Sequence, residues 1–187
     1  MIYVKDNFLN KQLFKELKAY SKDFKKVKTP GKSFWVRTLP QEFIDYLCLE
    51  IQNIEKKPIE NILAFIREAK INQDNDWRIH CDNLIYNKQP ERALVLFIKS
   101  QEKELNGTAF WEHIKHGDVY NPKNLEVKEF NRMLNEDANN ETKWNLKSII
   151  GYKPNRLLSY PCNYFHSKYP NEFKKPRTVL VMFYKYK

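Results

Sequence analysis

Two side chains that can bind a metal stand two positions apart in residues 77–82, where His80 and Asp82 flank Cys81. If this segment is a strand, alternate side chains share a face, so His80 and Asp82 point the same way and Cys81 points away. An imidazole and a carboxylate together suit a divalent metal of intermediate softness. His-x-Asp also occurs by chance, and a paired surface His and Asp is the alternative interpretation of these two residues.

A third ligand can come from His166, one of only four histidines in the chain. It follows a strand-like run at residues 157–160, which Pro161 ends, and it stands where the next strand would begin. Two histidines and one carboxylate form the facial triad of non-haem iron(II) oxygenases, which leaves coordination positions open for substrate and oxygen. We therefore predict that His80, Asp82 and His166 bind iron.

Arg177 stands eleven positions after His166, at the head of the last strand-like run. A buried arginine there could hold a carboxylate through two parallel hydrogen bonds, whereas an ordinary edge-strand arginine is the simpler alternative. Taken together, His-x-Asp, a distal His and this Arg resemble the pattern of the 2-oxoglutarate/iron(II) oxygenases. The likeness is strongest to the prolyl-4-hydroxylase-like branch, especially its small bacterial and phage members.

The resemblance covers about residues 60–187 and includes weaker motifs. Trp77 stands where relatives carry an aromatic residue, commonly Tyr, so a hydroxyl that often helps to hold the cosubstrate is absent. Asn106-Gly107-Thr108 matches in part a Gly-Gly-x-Thr-like turn, and residues 157–161 are similar to the apolar run before the distal ligand. Val179 replaces a Ser or Thr that many relatives carry two positions after the arginine.

The resemblance implies both a fold and a reaction. The fold of the family is the double-stranded β-helix, or jelly roll, with the metal inside one open end. The implied activity is that of an Fe(II)- and 2-oxoglutarate-dependent dioxygenase, a hydroxylase, in which Arg177 holds the distal carboxylate of 2-oxoglutarate and O2 takes the last iron position. Decarboxylation of the cosubstrate to succinate and carbon dioxide would be coupled to oxidation of the substrate.

Hydrophobic spacing predicts the elements that must position these residues. Helical spacing predicts a helix over 7–22 capped by Asn7, a second helix after Pro40 and a third over 126–137. Apolar, β-branched and aromatic runs of strand length stand at residues 61–69, 93–98, 107–111, 144–152, 156–160 and 177–186.

Helices followed by short strands with one inserted helix indicate an α+β chain, a jelly roll buttressed by N-terminal helices. We expect a single domain over residues 1–187, in which 1–58 give helical support and 59–187 form the jelly-roll core. Residues 111–124 and 83–92 are expected to be loops at the open end, where His113 would contact substrate; the alternative is that these loops only cap the barrel.

Charge and cysteine content bear on location and partners. The net charge of +10 could attract an acidic partner, although solvated helix faces and a solubilising surplus explain it more simply. Three cysteines without paired spacing argue against a disulfide framework, the first residues do not read as a signal peptide, and no window approaches ~20 apolar residues. We expect a cytoplasmic protein outside the membrane; its substrate could be a protein side chain, a nucleic acid or a small molecule.

Other interpretations stay open. A second metal site could use His113 and His116 with the neighbouring acids Glu112 and Asp118, provided that a turn joins them. Zinc bound by Cys81, Cys162 and His166 matches no structural zinc spacing. A basic nucleic-acid-binding module without catalysis would explain the charge, and a cupin-type metal enzyme that does not use 2-oxoglutarate would need the triad but not Arg177.

Overall fold

Antiparallel strands and three α-helices make up the part of the chain described by this computed structural model, which is residues 1–29, 32–69, 78–83, 85, 87–100, 107–170 and 175–187. The helices are α1 (Lys11–Tyr20), α2 (Gln41–Glu55) and α3 (Val127–Asp137), with a short 3₁₀ helix at Glu141–Lys143. The strands are β1 (Tyr3–Lys5), β2 (Lys25–Thr29), β3 (Lys32–Thr38), β4 (Ile59–Ala69), β5 (Arg92–Ser100), β6 (Gly107–His113), β7 (Trp144–Gly151), β8 (Leu157–Pro161), β9 (His166–Tyr169) and β10 (Arg177–Tyr186).

These strands form two sheets. The large sheet has the order β1-β8-β5-β10-β4-β3-β2, and the small sheet has the order β7-β6-β9. Strand β5 lies inside the large sheet and is buried on both faces over most of its length, which explains its continuous apolar sequence. Strand β10 pairs with β4 and β5 along almost its whole length, so Arg177 at its first position is held by two neighbours.

Alternation along the strands separates two apolar cores. Leu94 and Leu96 of β5 face α1 and α2, which cover the outer face of the large sheet. Val95 and Phe97 face inward, toward Phe110 of the small sheet. A third core lies between α3 and the other face of the small sheet. Because successive residues of a strand point to opposite faces, only every second residue of β5 points into the space between the sheets.

The N-terminal segment differs from the prediction in two ways. Residues 1–58 were expected to be helical support, and they also supply β1, β2 and β3. The hairpin of β2 and β3 forms one edge of the large sheet, where lysines interrupt the apolar alternation that marks a strand. Helix α1 begins at Lys11 rather than at residue 7, and its cap is Asn10, whose side chain accepts a hydrogen bond from the Leu13 backbone N–H. Asn7 has a φ of 51° and lies in the preceding turn.

The later elements agree more closely with the prediction. Helix α3 and strands β4, β5, β6, β7, β8 and β10 lie within a few residues of their predicted positions, and β9 begins at His166. Among the described residues, no helix combines the length and the apolar character needed to cross a bilayer.

Candidate functional site

His80, Asp82 and His166 come together where the His166 ring contacts Tyr160, a residue of the core between the sheets. One Asp82 carboxylate oxygen lies 3.2 Å from Nε2 of His166, and the other lies 3.7 Å from Nε2 of His80. Ligand atoms of all three residues lie within 4.8 Å of one another. Among the described residues, this is the one group of acidic, His and Cys side chains that converges closely enough to hold a metal ion. Three such atoms can occupy one face of a coordination sphere.

The backbone, rather than a regular strand, brings these residues together. His80 and His166 exchange two backbone hydrogen bonds, of 3.1 Å and 2.8 Å, in an isolated antiparallel bridge beside the first residue of β9. The Asp82 N–H donates to the carbonyl of Cys162 at 2.8 Å. The segment at residues 77–82 was expected to be a strand. In its described part, residues 78–82, the structure has a single β-bridge at His80 instead of a regular strand.

Each histidine presents Nε2 to the centre because its Nδ1 is already engaged. Nδ1 of His80 lies 3.1 Å from the carbonyl oxygen of Arg78, and Nδ1 of His166 lies 2.9 Å from that of Tyr164. A carbonyl can only accept, so both Nδ1 atoms carry the proton. Each Nε2 then offers a lone pair when the ring is neutral, which is the usual arrangement of metal-binding histidines.

Electrostatics couple the carboxylate to its neighbours. Burial alone would raise the pKa of Asp82, but the charge and hydrogen bond of His166, followed by the charges of His80 and Arg67, outweigh burial and lower it. Burial alone would lower the pKa of His166, but the charge and hydrogen bond of Asp82 and the Tyr164 carbonyl raise it. Without metal, the pair therefore favours a carboxylate beside an imidazolium, and a cation must displace a proton to bind.

Arg177 is buried and bridges the two sheets. It shares the inward face of β10 with Val179, and its guanidinium donates to the carbonyl of Gly107 at the start of β6. Gly107 has no room for a side chain, because a Cβ there would overlap the carbonyl oxygen of Ile150. On β6, Gly107 lies three residues from Phe110, which pairs with His166. The arginine therefore reaches the interior some distance from the triad along the same strand.

Two inward-facing residues near this site were not predicted from the sequence. Arg67 shares the inward face of β4 with Phe65, lies 4.9 Å from the centre of the Phe34 ring and contributes to the low pKa of Asp82. Tyr160 on β8 places its ring 4.7 Å from that of His166. A polar residue at an inward-facing position of a buried strand is the sequence signal that could have identified Arg67 and Tyr160.

The alternative metal sites are not formed by the described residues. His113 is 2% exposed; its Nε2 donates to Asp137 at 3.0 Å, and its Nδ1 accepts from the backbone N–H of Lys115 at 3.2 Å. Both ring nitrogens are thus occupied, and the expectation that His113 contacts substrate at the open end is wrong. Cys81 and Cys162 are buried and form no disulfide. Burial is the main cause that raises the pKa of the Cys81 thiol to about 12 and that raises the pKa of the Cys162 thiol even more. Both cysteines therefore stay protonated, which disfavours them as thiolate ligands.

The two segments expected to be open-end loops are only partly loops. Residues 111–113 belong to β6, and Tyr120 is buried against α3. Arg92 begins β5 and pairs with Glu55 on the helix-covered face. Tyr86 of the second segment lies outside the described residues, as do Trp77 and Asn106.

A cavity of about 310 Å³ lies apart from the triad. Two tryptophan rings and an ion pair are among its walls, which comprise Arg78, Trp111, Glu141, Trp144, Leu146, Tyr169 and Pro170. Trp111 belongs to the core covered by α3, so this cavity borders the outer face of the small sheet. It includes none of the three triad residues.

Solved structures with a similar fold include a prolyl-4-hydroxylase and proteins described with 2-oxoglutarate or α-ketoglutarate. A prolyl-4-hydroxylase from Pseudomonas putida gives a TM-score of 0.55 at 10% identity, with 100% of this chain and 92% of that chain covered. HygX from Streptomyces hygroscopicus, solved with nickel, 2-oxoglutarate and hygromycin B bound, gives 0.61 at 10% identity, with 98% and 82% covered. The non-heme α-ketoglutarate-dependent epimerase SnoN from nogalamycin biosynthesis gives 0.57 at 11% identity, with 98% and 76% covered. No protein-family model and no curated protein matches the sequence.

The chain therefore shares its fold with the 2-oxoglutarate/iron(II)-dependent oxygenases, which confirms the family resemblance at the level of fold. At these sequence identities the likeness concerns the fold, and the activity of this chain has to be argued from its own side chains.

Proposed function

We propose that this chain is an Fe(II)- and 2-oxoglutarate-dependent dioxygenase that hydroxylates its substrate. The observation that carries the proposal is the convergence of His80, Asp82 and His166 within 4.8 Å. In the proposed architecture, residues 1–187 form one domain, a double-stranded β-helix with its helical support at the N-terminus. The two facing sheets, the helix-covered outer face and the 2-oxoglutarate oxygenase neighbours support this architecture.

The donor set fits iron(II). Two imidazole nitrogens and one carboxylate suit a borderline divalent metal, and both imidazoles are fixed through Nδ1 by backbone carbonyls. His80, Asp82 and His166 would hold the ion. When bound, iron would supply the activation of O2 that couples decarboxylation of 2-oxoglutarate to substrate oxidation. The task of the chain is to orient the ligands and to keep the inner end of the site dry, which the buried His166 and Tyr160 do.

The cosubstrate would be held by Arg177. Its guanidinium is buried at the inward face of the large sheet, where a dicarboxylate could be bound through a charge-assisted pair of hydrogen bonds. HygX was solved with 2-oxoglutarate, which supports the use of the same cosubstrate here. A cupin-type metal enzyme that does not use 2-oxoglutarate would not require this arginine.

The substrate is proposed only by class. The net charge of +10 favours an acidic partner, whether a protein side chain, a nucleic acid or a small anion. A cytoplasmic location is proposed because all three cysteines are free thiols, as expected in a reducing compartment.

Succinate production without added substrate tests the proposed function. The purified protein with Fe(II), ascorbate, 2-oxoglutarate and O2 should release succinate slowly. His166→Ala should abolish this release, whereas His116→Ala, which removes a histidine outside the triad, should preserve it. A catalytically inert nucleic-acid-binding module would release no succinate in any variant, and equal release by wild type and His166→Ala would refute the triad.

A further inference from the structure

Tyr160 is a buried tyrosine in the wall of the candidate site. It lies on β8, faces the core between the two sheets and is 3% exposed. Its ring lies 4.7 Å from the His166 ring and 5.1 Å, edge-on, from the Phe110 ring. These two rings fix the position of Tyr160, because His166 belongs to the triad and Phe110 lies on β6, which pairs with His166.

The hydroxyl of Tyr160 makes no hydrogen bond to any described residue, and this sets it apart from Tyr184. Tyr184 is equally buried, but its hydroxyl donates to Glu55 at 2.8 Å and meets the Ser159 hydroxyl at 3.1 Å. Ser159 and Tyr160 are neighbours on β8 with opposite parity, so the two tyrosines serve opposite faces of the large sheet. A hydroxyl without a protein partner, on a side chain that is otherwise buried, is available to a ligand that enters the site.

Tyr160 lies between the two ends of the site. Its ring contacts His166, and it shares a core with Val179, which lies on the same inward face of β10 as Arg177. A phenol hydroxyl can donate a hydrogen bond to an anion. Asp82 marks the metal end of the site and Arg177 the proposed carboxylate end.

We infer that the Tyr160 hydroxyl donates a hydrogen bond to bound 2-oxoglutarate, on the half of the cosubstrate nearer the metal. The inference rests on the proposed function and adds a binding residue to it. Arg177 then neutralises one carboxylate, while Tyr160 orients the other half of the cosubstrate. Because the ring packs against His166, the hydroxyl is fixed before the cosubstrate arrives.

Calorimetric titration of the Mn(II)-loaded protein with 2-oxoglutarate tests this role. Tyr160→Phe removes one hydroxyl and should weaken 2-oxoglutarate binding about ten- to a hundredfold, since a hydrogen bond to a charged group is lost. Its Mn(II) affinity and the melting temperature of the metal-free protein should stay at wild-type values, because the metal-free protein loses no hydrogen bond. Tyr184→Phe is the matched control; it should lower the melting temperature and change the 2-oxoglutarate affinity by no more than about twofold.

Three results would overturn the inference, and they are distinguishable. Wild-type 2-oxoglutarate affinity in Tyr160→Phe, combined with weakened binding in Arg177→Ala, would remove Tyr160 from the site and leave the proposed function intact. Parallel loss of Mn(II) and 2-oxoglutarate affinity in Tyr160→Phe would reduce its role to packing of His166. Failure of the Mn(II)-loaded wild type to bind 2-oxoglutarate would overturn the proposed function and this inference together.

Discussion

Replacing Arg177 with alanine tests whether the inward end of β10 binds the cosubstrate. The side chain is 6% exposed and crosses from the large sheet to the carbonyl of Gly107 in the small one. Alanine would remove the cation that the proposal pairs with a carboxylate of 2-oxoglutarate. It would also remove a donor from the Gly107 carbonyl. Two separable effects follow, one on binding and one on stability.

The expected effect on binding is large. Loss of a buried charged partner costs about 2–5 kcal/mol, which corresponds to a decrease in 2-oxoglutarate affinity of about thirtyfold to a few thousandfold. Loss of the donor to the Gly107 carbonyl, where no water takes the place of the arginine, costs a further ~1–3 kcal/mol of folding free energy. Metal affinity should be unchanged, because the triad hydrogen bonds described above do not include Arg177.

Calorimetry on the Mn(II)-loaded protein measures the binding effect, and a thermal melt measures the stability effect. Arg92→Ala is the matched control, since Arg92 is also buried in the large sheet but pairs with Glu55 at 3.0 Å on the helix-covered face. It should cost about 3–5 kcal/mol of stability and leave the 2-oxoglutarate affinity of the folded fraction unchanged. Unchanged 2-oxoglutarate affinity in Arg177→Ala, or an equal loss in both variants, would refute the assignment.

Three further predictions concern the surroundings of the site. Because the raised pKa of His166 keeps it protonated to higher pH than a free imidazole, metal affinity should fall as pH is lowered through that pKa, and binding below it should release a proton; pH-independent affinity would contradict the coupling to Asp82. Gly107→Ala should lower the free energy of unfolding by about 1–3 kcal/mol in a denaturant titration, because the alanine methyl group would overlap the backbone of Ile150. Unchanged stability would contradict this prediction. His113→Ala should lower the free energy of unfolding by about 1–3 kcal/mol, because the hydrogen bond to Asp137 is lost, and should leave uncoupled succinate release per folded molecule unchanged. Loss of succinate release would show that His113 does take part in the site.

The triad could be predicted from the sequence because few residue types provide such ligands and the chain has only four histidines. The strand-like run that precedes it selected His166, and the family pattern then added Arg177. The physical reason given for the pairing of His80 with Asp82 was only partly right, since the structure uses one isolated bridge and a backbone hydrogen bond to Cys162 rather than a regular strand.

Tyr160 and Arg67 were missed because their significance depends on which face of a strand they occupy. Parity fixes the face only after the register and the covering helices are known. Tyr160 also stands in a run of buried residues that reads as plain core. His113 was misassigned for the opposite reason, because a histidine in a polar stretch indicates an exposed loop until α3 is seen to bring Asp137 against it.

Strand β2 could not be predicted because it lies at the edge of the sheet and carries exposed lysines. Strand β3 was missed because its apolar residues Phe34, Trp35 and Val36 are consecutive rather than alternating. Strand β5 was predicted within two residues at either end, because burial on both faces imposes an apolar run that local sequence reveals.

The order of ligand binding tests the central claim most directly, because it requires the triad and the cosubstrate site to be one site. Calorimetric titrations of the metal-free and Mn(II)-loaded protein with 2-oxoglutarate should show one molecule bound per chain only when the metal is present. In His166→Ala, neither Mn(II) nor 2-oxoglutarate should bind, while His116→Ala should match the wild type. Binding of 2-oxoglutarate with equal affinity in the absence of metal, or retention of stoichiometric Mn(II) by His166→Ala, would contradict the account.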